Sequence, residues 1–408
     1  MSTSLISKYI PITLNMQIDI KSIFDSEANV KLTNNIDYPK CSFGFHHYMH
    51  SLKKDSLVIK EFENKKKVYL VTNRFEIEID KYDNSIKNEV NKYLNISDKT
   101  SKIVSLDFYK LWEIMFMFDL FDFTDMSSAH FLEDGSNIQS LMYFREKFYK
   151  TKDKYYIINP YKTSNFIEEN EKKIIKSNYD SIKEKVQFIT IGSSITYTDN
   201  ENTIEQEYHI PLFKNILNAV KIQKKGGSMV IKVFETYTDV TSKIICILIS
   251  LYDKVFFIKP MTSLPSQSER YIVCNGFKLS DTSGVLKKLE KINEIIEKNS
   301  KLKLCDLFMD YEIDFKLKTR LIKLNQIISN MVFKSLGEIV TFINSQDYYG
   351  DTYEKYRNEQ IEATNFWVQT FLPEPKNFKE TKKNIVDASF LTNKMNVDDA
   401  IQLEKILS

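Results

Sequence analysis

Between residues 101 and 280, apolar segments of helical length alternate with shorter segments of strand length. The predicted strands are short runs rich in β-branched and aromatic residues, namely SSAHFL, KYYIIN, VQFITIG, SMVIKVF, KVFFIKP and RYIVCNGFK. The predicted helices are longer and apolar on one face or throughout, namely LDFYKLWEIMFMFDLFDF, DGSNIQSLMYFREKF, HIPLFKNILNAVKIQKK and TSKIICILISLY. This alternation is typical of an α/β domain with a mostly parallel sheet.

Local signals predict the ends of the third of these helices. Pro211 is expected in its first turn, where the N–H that proline lacks would have no helical partner. Gly226 and Gly227 are expected to end it, because glycine is the preferred residue just beyond a helix C-terminus.

The patterns before and after this domain differ from it. In residues 1–100, VYLV and FEIEI predict strands by alternation, and Asp83–Lys92 predicts a polar helix with Asp83 as its N-cap. Residues 281–408 are mainly helical. The sequence therefore predicts three regions: an N-terminal α/β region (1–100), the α/β domain (101–280) and a C-terminal helical region (281–408).

The C-terminal region carries three amphipathic patterns. The first places Leu289, Ile292 and Ile296 on one stripe, and the third, around Glu354–Phe371, is stopped by Pro373. Because heptads are not sustained, helix packing is favoured over a long coiled coil.

Composition limits the classes of function. The chain has 408 residues, and 42% of them are hydrophobic, which is enough for a sizeable core. The net charge is only +2, so any RNA site must be a local patch. The four cysteines have no CxxC spacing, there is no signal-peptide pattern, and the apolar run Ile244–Tyr252 is too short to span a bilayer. We therefore expect an intracellular protein that does not enter the membrane.

Two clusters in the first region invite a functional interpretation. His46, His47 and His50 suggest a metal, but no cysteine or acid completes a usual ligand spacing, so an aromatic, partly buried patch is favoured and no metal is expected. The Lys65–Lys67 run beside Tyr69 is read as a solvated strand start, with contact to RNA phosphates as the alternative.

Three charged residues stand out in the predicted α/β domain. Lys232 lies in the apolar strand GGSMVIKVFE, where burying a lysine is costly unless it is paired or functional. Glu269 lies in KPMTSLPSQSERYIV, and Lys110 lies in the helix FYKLWEI. For Lys110, a lysine that faces water is the equally weighted alternative.

These three segments resemble the catalytic half of the FtsJ-type RNA 2′-O-methyltransferases, which use a Lys–Asp–Lys–Glu tetrad. The resemblance implies that Lys110, Lys232 and Glu269 hold three of the four tetrad positions, with Leu264 where the family has an arginine. It implies a Rossmann-like fold whose seven-stranded sheet has an antiparallel last strand, and S-adenosylmethionine (SAM) as cofactor. A tetrad lysine activates the ribose hydroxyl best if its pKa is lowered.

Two segments depart from the family pattern. In FITIGSSITYTDNEN, Gly192 occupies the slot of the tetrad aspartate, and Asp199 lies seven positions later. Lys232 is therefore expected to lack an ion partner. The cofactor loop FLEDGSNIQSL keeps few of the family's glycines, and its candidate cofactor-binding residues are Glu133, Asp134, Gly135 and Ser136. Close approach of backbone to a ligand needs glycine, so this loop predicts weakened cofactor binding.

The wording of NENTIEQEYHIPLFKNILNAVKIQKKGGSMVIKVFE is similar to FtsJ-like proteins of large cytoplasmic DNA viruses. The resemblance implies RNA, in particular capped mRNA, as partner, and the host cytoplasm or viral factory as location. Two functions follow. The favoured one is a catalytically impaired or silent subunit that binds RNA or a capping or transcription partner, since two separate motifs have changed. The alternative is an active SAM-dependent cap 2′-O-methyltransferase.

Overall fold

A central sheet of eight strands organises the computed structural model, which describes residues 14–15, 22–35, 58–59, 68–97, 102–122, 124–193, 203–346 and 348–387. The strands are β1 (Leu14–Asn15), β2 (Val30–Thr33), β3 (Ser127–Phe131), β4 (Lys154–Ile158), β5 (Ile174–Ser177), β6 (Val186–Ile191), β7 (Gln223–Val233), β8 (Tyr252–Ile258), β9 (Arg270–Phe277) and β10 (Lys303–Leu307). The order in the sheet is β1-β8-β9-β7-β6-β3-β4-β5, while β2 and β10 form a separate pair.

Strand direction confirms the α/β, Rossmann-like class. Strands β5, β4, β3, β6 and β7 are parallel, and β9 is antiparallel to both β7 and β8. The sheet thus contains the seven strands that the resemblance implied, with the last of them antiparallel. Strand β1 adds a short antiparallel edge next to β8.

Nine helices surround the sheet within the described ranges, along with short 3-10 segments and a helical stretch over 378–387. They are α1 (Ile86–Tyr93), α2 (Asp107–Met117), α3 (Ser136–Phe148), α4 (Asn165–Glu169), α5 (Ile204–Ile222), α6 (Asp239–Leu251), α7 (Ser283–Lys298), α8 (Phe315–Ser345) and α9 (Asp351–Phe371). The expected stripe Leu289, Ile292 and Ile296 is buried. None of the helices in these ranges is both long and apolar enough to cross a membrane.

The two faces of the sheet carry separate cores. One core contains residues of α5, α6, α7 and the first half of α8, and the other contains residues of α2, α3 and α9. Along β7, Met229 and Ile231 face the first core, while Val230 faces the second. Because side chains alternate along a strand, Lys232 shares the face of Val230 and points towards α2.

Two local predictions in the first region were wrong. VYLV forms the 3-10 segment Val68–Thr72, in which Tyr69 and Val71 pack against Ile339 and Phe342 of α8. FEIEI forms turns and bends, and no strand among the described residues pairs with either segment. Helix α1 begins at Ile86 with Ser85, not Asp83, in the N-cap position. His46, His47, His50 and Lys65–Lys67 lie outside the described residues.

Both predicted ends of α5 were also wrong. Pro211 lies inside the helix, eight residues into it, where proline removes one backbone hydrogen bond. Gly226 and Gly227 belong to β7, at an irregularity between the pairings Val186↔Gln223 and Phe188↔Ser228. A Cβ at position 227 would lie 2.3 Å from Gln223 Nε2, and Gly226 has φ +77°. The glycines therefore form a bulge and do not end the helix.

Candidate functional site

Four charged side chains meet where β7 ends, β9 begins and α2 starts. Lys232 is the second-last residue of β7 and pairs across the sheet with Tyr271 of β9. Glu269 directly precedes β9 and lies two residues before Tyr271, so it points to the same face. Asp107 and Lys110 are three residues apart on α2 and therefore share one face of that helix. The structure thus brings the three predicted tetrad residues together.

The distances within this ion cluster are those of direct ion pairs. Lys110 Nζ lies 2.7 Å from Glu269 Oε1 and 2.8 Å from Asp107 Oδ1. Lys232 Nζ lies 2.9 Å from Asp107 Oδ2 and 3.6 Å from Glu269 Oε2. Two ammonium groups and two carboxylates alternate around the cluster, so its formal charges cancel.

Asp107 is the member that sequence reasoning missed. The expectation that Lys232 lacks an ion partner was wrong, because Asp107 accepts hydrogen bonds from Lys232 at 2.9 and 3.1 Å. The only signal in the sequence was the i,i+3 spacing of Asp107 and Lys110. That spacing predicts a helical ion pair and gives no indication of a strand 125 residues away.

Exposure divides the cluster into an inner and an outer half. The side chains of Lys110 and Glu269 are 6% and 3% exposed, whereas those of Lys232 and Asp107 are 14% and 19% exposed. A ligand therefore meets Lys232 and Asp107 first, with Lys110 and Glu269 behind them.

Pairing controls the protonation of the cluster. Burial lowers the pKa of Lys232, but the nearby Glu269 and Asp107 outweigh burial and raise that pKa above its usual value. Burial likewise raises the pKa of Asp107, and Lys110 and Lys232 overcome it and hold the pKa low. The lowered lysine pKa expected from the sequence is thus not found for Lys232 in this state, in which Lys232 is an ammonium.

A buried hydroxyl and a buried lysine support Glu269. Tyr271 Oη donates to Glu269 Oε1 at 3.1 Å. Lys259 Nζ donates to the main-chain oxygens of Glu269 and Gln267 at 2.9 and 2.8 Å, and to Ser263 Oγ at 3.2 Å. Burial lowers the pKa of Lys259 to about 7. Lys259 thus fastens both ends of the loop that carries Glu269.

Glu113 ties the same loop to α2. Its carboxylate accepts hydrogen bonds from the backbone N–H groups of Met261 and Thr262 at 2.6 and 3.0 Å, and from Trp367 Nε1 of α9 at 3.0 Å. It also accepts one from the Thr262 hydroxyl at 2.6 Å. Helix α2 therefore supplies Asp107 and Lys110 to the cluster. It also supplies Glu113, which anchors the loop that carries Glu269.

The candidate cofactor loop follows β3. Glu133 is buried, and its Oε1 accepts from Ile138 N at 3.3 Å, while its Oε2 has no hydrogen-bond partner within the described ranges. Burial, together with Asp134, raises the pKa of Glu133 to about 8. Asp134 Oδ1 accepts from the N–H of Ser136 at 3.0 Å and from its hydroxyl at 2.6 Å. Among the described residues, no cation pairs with the buried Glu133 carboxylate, which the Asn137 side chain and Ile138 N stabilise.

Gly135 occupies the N-cap of α3 with φ +100°, a left-handed conformation that favours glycine. A Cβ there would lie 2.8 Å from Ser164 Oγ and 2.9 Å from Ile167 Cδ1. This close approach lets the loop pack against α4.

Gly192 ends β6 beside the same loop. Its N–H donates to Phe131 O at 2.9 Å, and its carbonyl accepts from Tyr208 Oη at 2.7 Å. A Cβ at 192 would lie 2.5 Å from Leu132 O, and Leu132 has a left-handed backbone with φ +49°. The predicted aspartate slot is thus closed to any side chain unless the backbone moves. Asp199 lies outside the described residues.

A cavity of about 560 Å³ opens beside the Lys259–Glu269 loop. Residues of this loop line one wall, and α8 and α9 line another. Its lining includes four cations, two carboxylates and two aromatic rings, which are Arg74, Lys259, Lys334, Lys355, Glu338, Glu359, Phe75 and Tyr356. Arg74 is paired with Glu359 at 2.8 Å, while the Lys334 and Lys355 side chains are exposed.

The strand order and the helical layers define a Rossmann-like methyltransferase fold. Residues 146–277 match the family model of the FtsJ-like methyltransferases, so this chain contains an FtsJ-like methyltransferase domain, as the resemblance predicted. The matched range includes Lys232 and Glu269. It begins after Lys110 and the Glu133–Ser136 loop, so the match gives no support to the roles of these earlier residues. Those roles are inferred from the geometry of the site.

The chain is similar to curated proteins of the same family. It is 27% identical over 161 residues to the mouse cap-specific mRNA (nucleoside-2′-O-)-methyltransferase 1, a match that covers 39% of this chain and 19% of that protein. It is 24% identical to the inactive cap-specific mRNA (nucleoside-2′-O-)-methyltransferase 1B of Caenorhabditis briggsae, covering 56% of this chain and 26% of that one. The chain thus spans about a fifth to a quarter of these relatives' length.

A further relative matches over most of both chains. An uncharacterized protein of Acanthamoeba polyphaga mimivirus is 22% identical over 309 residues, covering 74% of each chain. Among solved structures, human methyltransferase-like protein 13 in complex with SAH covers 47% of this chain and 88% of that one at 11% identity. Its TM-score is 0.25, which is too low to add to the fold assignment.

The anchor Glu113 gives a stability prediction. Glu113→Ala leaves the buried N–H groups of Met261, Thr262 and Trp367 without an acceptor, and each buried orphan costs about 1–3 kcal/mol. We expect the free energy of unfolding, measured by urea denaturation, to fall by about 3–5 kcal/mol. Glu89→Ala, which removes the partner of Lys92 at the surface, should change it by under about 1 kcal/mol. Equal effects of the two variants would show that Glu113 is no anchor.

Proposed function

We propose that this protein is an active SAM-dependent RNA 2′-O-methyltransferase, with Lys232 as the lysine that meets the ribose hydroxyl. The observation that carries the proposal is the complete ion cluster, in which Lys232 has a carboxylate partner at 2.9 Å and lies on the more exposed side. The names of the relatives support capped mRNA as substrate. The mimivirus relative supports our placing this activity in the host cytoplasm or viral factory.

The cluster suits the chemistry of an alcohol nucleophile. SAM supplies a methyl group made electrophilic by a sulfonium. Lys232 Nζ, held from two sides by Asp107 and Glu269, donates a hydrogen bond to the ribose 2′-oxygen and directs one lone pair of that oxygen outward. The positive charge of bound SAM would lower the pKa of Lys232, since like charges disfavour the ammonium. Lys232 would then release one proton to solvent, and its neutral amine would take up the hydroxyl proton as the 2′-oxygen accepts the methyl group and the sulfonium becomes a thioether.

The loop after β3 fits the cofactor in its charge and shape. Glu133 Oε2 is buried and has no hydrogen-bond partner in the described part of the chain, which suits the ammonium group of the methionine part of SAM. Gly135, which cannot be replaced without a clash, keeps the loop packed down on α4. We therefore assign Glu133, Asp134, Gly135 and Ser136 to the wall of the cofactor site.

The silent subunit predicted from the sequence is the competing function. A silent subunit was expected because Lys232 would lack an ion partner, and the Lys232–Asp107 pair counts against this. It was also expected because the cofactor loop is altered, and SAM binding tests that directly. A name such as that of the inactive Caenorhabditis briggsae relative applies to that protein alone.

We assign the cavity beside the Lys259–Glu269 loop to the RNA. It adjoins the loop that supplies Glu269, and it combines exposed cations with aromatic rings. Cations neutralise phosphates and rings stack on bases, so this lining suits a single-stranded end of an RNA. The low net charge of +2 is compatible with such a local patch.

The first test is methyl transfer from labelled SAM to a short capped RNA, read at the 2′-oxygen of the acceptor ribose. We expect transfer by the wild type and a loss of about 100-fold or more in kcat for Lys232→Met, since the hydroxyl loses its partner. Lys214→Met, which removes a surface pair with Glu297, should leave kcat unchanged. A wild type that binds SAM and RNA but transfers no methyl group would establish the silent function instead.

Glu133 makes cofactor affinity depend on pH. Its pKa of about 8 means that binding a cation favours the ionised form and releases a proton. The ratio of wild-type to Glu133→Gln affinity for SAM, measured by calorimetry, should therefore rise about tenfold per pH unit from pH 6 to 7 and level off above pH 8. Because the wild type and the variant bind the same ligand, the ratio cancels the effect of pH on SAM itself.

The surface control is Glu146→Gln, for which the ratio of wild-type to variant affinity should stay near one at every pH. If the ratio of wild-type to Glu133→Gln affinity does not change with pH, Glu133 does not bind the cation of the cofactor.

RNA binding should depend on the cavity lysines. Lys334→Ala/Lys355→Ala should weaken binding of a short capped RNA and reduce the slope of log K against log salt by about 1 to 2, because two phosphate contacts are lost. The matched control is Lys173→Ala/Lys176→Ala, at the β5 edge of the sheet. If both pairs weaken binding equally, the cavity has no special part in it.

A further inference from the structure

We propose that Asp107 performs the part of the strand-end aspartate that this chain lacks at position 192, and that it positions Lys232 from the first turn of α2 instead of from the sheet. The catalytic meaning of this inference rests on the proposed function. The positioning itself does not, and it can be measured on a protein that transfers no methyl group.

The contacts of Asp107 are those of a positioning residue. Its two carboxylate oxygens accept from Lys232 Nζ at 3.1 and 2.9 Å, and Oδ1 also accepts from Lys110 Nζ at 2.8 Å. Glu269 lies 3.6 Å from Lys232, so Asp107 is the nearer of its two carboxylates. Removal of Asp107 would leave Lys232 with Glu269 as its one remaining partner in the cluster.

The position of Asp107 at the start of α2 fixes its distance from the other members of the cluster. As the first residue of α2, its negative charge is favoured by the helix dipole, and the three-residue spacing puts Lys110 beside it. Glu113, a further three residues along, binds the loop before β9. One rigid helix therefore sets the positions of Asp107, Lys110 and, through the loop, Glu269 relative to one another.

The strand-end position is closed to the residue it would need. A Cβ at Gly192 would lie 2.5 Å from Leu132 O, which is a backbone atom and not a flexible side chain. Tyr208 Oη and Phe131 O also hold the Gly192 backbone through hydrogen bonds. Substitution of Gly192 by aspartate would therefore place a carboxylate there only if the backbone also moved. The Asp107 carboxylate reaches Lys232 without such a movement.

The test reads the Lys232 amine and methyl transfer separately. Lys232 labelling by an amine-reactive reagent, followed by mass spectrometry across pH 7–10, reports the free-amine fraction. Asp107→Asn keeps the shape but removes the charge, so Lys232 should label at least tenfold faster at a given pH. Asp107→Glu, which restores the charge, should return labelling towards the wild-type rate. Glu89→Gln, which removes the carboxylate of another i,i+3 pair, should leave Lys232 labelling unchanged.

Methyl transfer then gives the functional part. If the wild type is active, Asp107→Asn should lower kcat about 100-fold with little change in the KM for SAM, and Asp107→Asn/Gly192→Asp should not recover it. Unchanged Lys232 labelling in Asp107→Asn overturns the inference, and so does recovery of activity in the double variant. An inactive wild type refutes the proposed function, and the labelling result still decides the role of Asp107.

Discussion

The mutual pairing of four charges at the end of β7 is the constraint on which the site depends. Glu269 and Lys110 are almost fully buried, and a buried charge is tolerated only when it is paired and hydrogen-bonded. Each carboxylate in the cluster contacts both lysines, so the loss of any one group leaves an uncompensated charge behind. The backbone around the cluster must therefore keep all four groups at ion-pair distance from one another.

Helix α2 provides that rigidity. Its aromatic residues Phe108, Trp112 and Phe116 are fully buried and pack on one another and on α3, and Trp112 Nε1 also donates to Phe371 O of α9 at 2.8 Å. Apolar packing fixes where the helix lies on the sheet, and Glu113 fixes the loop relative to the helix. The helices of the C-terminal region thus support a site to which they contribute no member of the ion cluster.

The sequence predicted the fold from hydrophobic periodicity and failed where tertiary contacts override it. All six strands expected in residues 101–280 are present, because each is a short apolar run bounded by helices or loops. VYLV has the same local character, but it packs on α8 without a neighbouring strand among the described residues, and a sheet needs a partner as well as a propensity. The helix end predicted at Gly226 and Gly227 was wrong because a glycine pair occurs at a β-bulge as well as beyond a helix C-terminus.

The site was predictable where its residues lie within a sequence motif. Lys232 and Glu269 were placed by their flanking segments, and Lys110 by its helix. Asp107 lies three residues before Lys110, but the family motif has its aspartate at a strand end, so the motif points to position 192 and not to α2. Whether a carboxylate reaches Lys232 depends on the alternation of β7, the face of α2 and the closed backbone at Leu132. A charge that a site requires can therefore come from any element that packs on the site. The absence of a motif residue does not by itself mean that the chemistry is lost, because a residue on another element can supply the same charge.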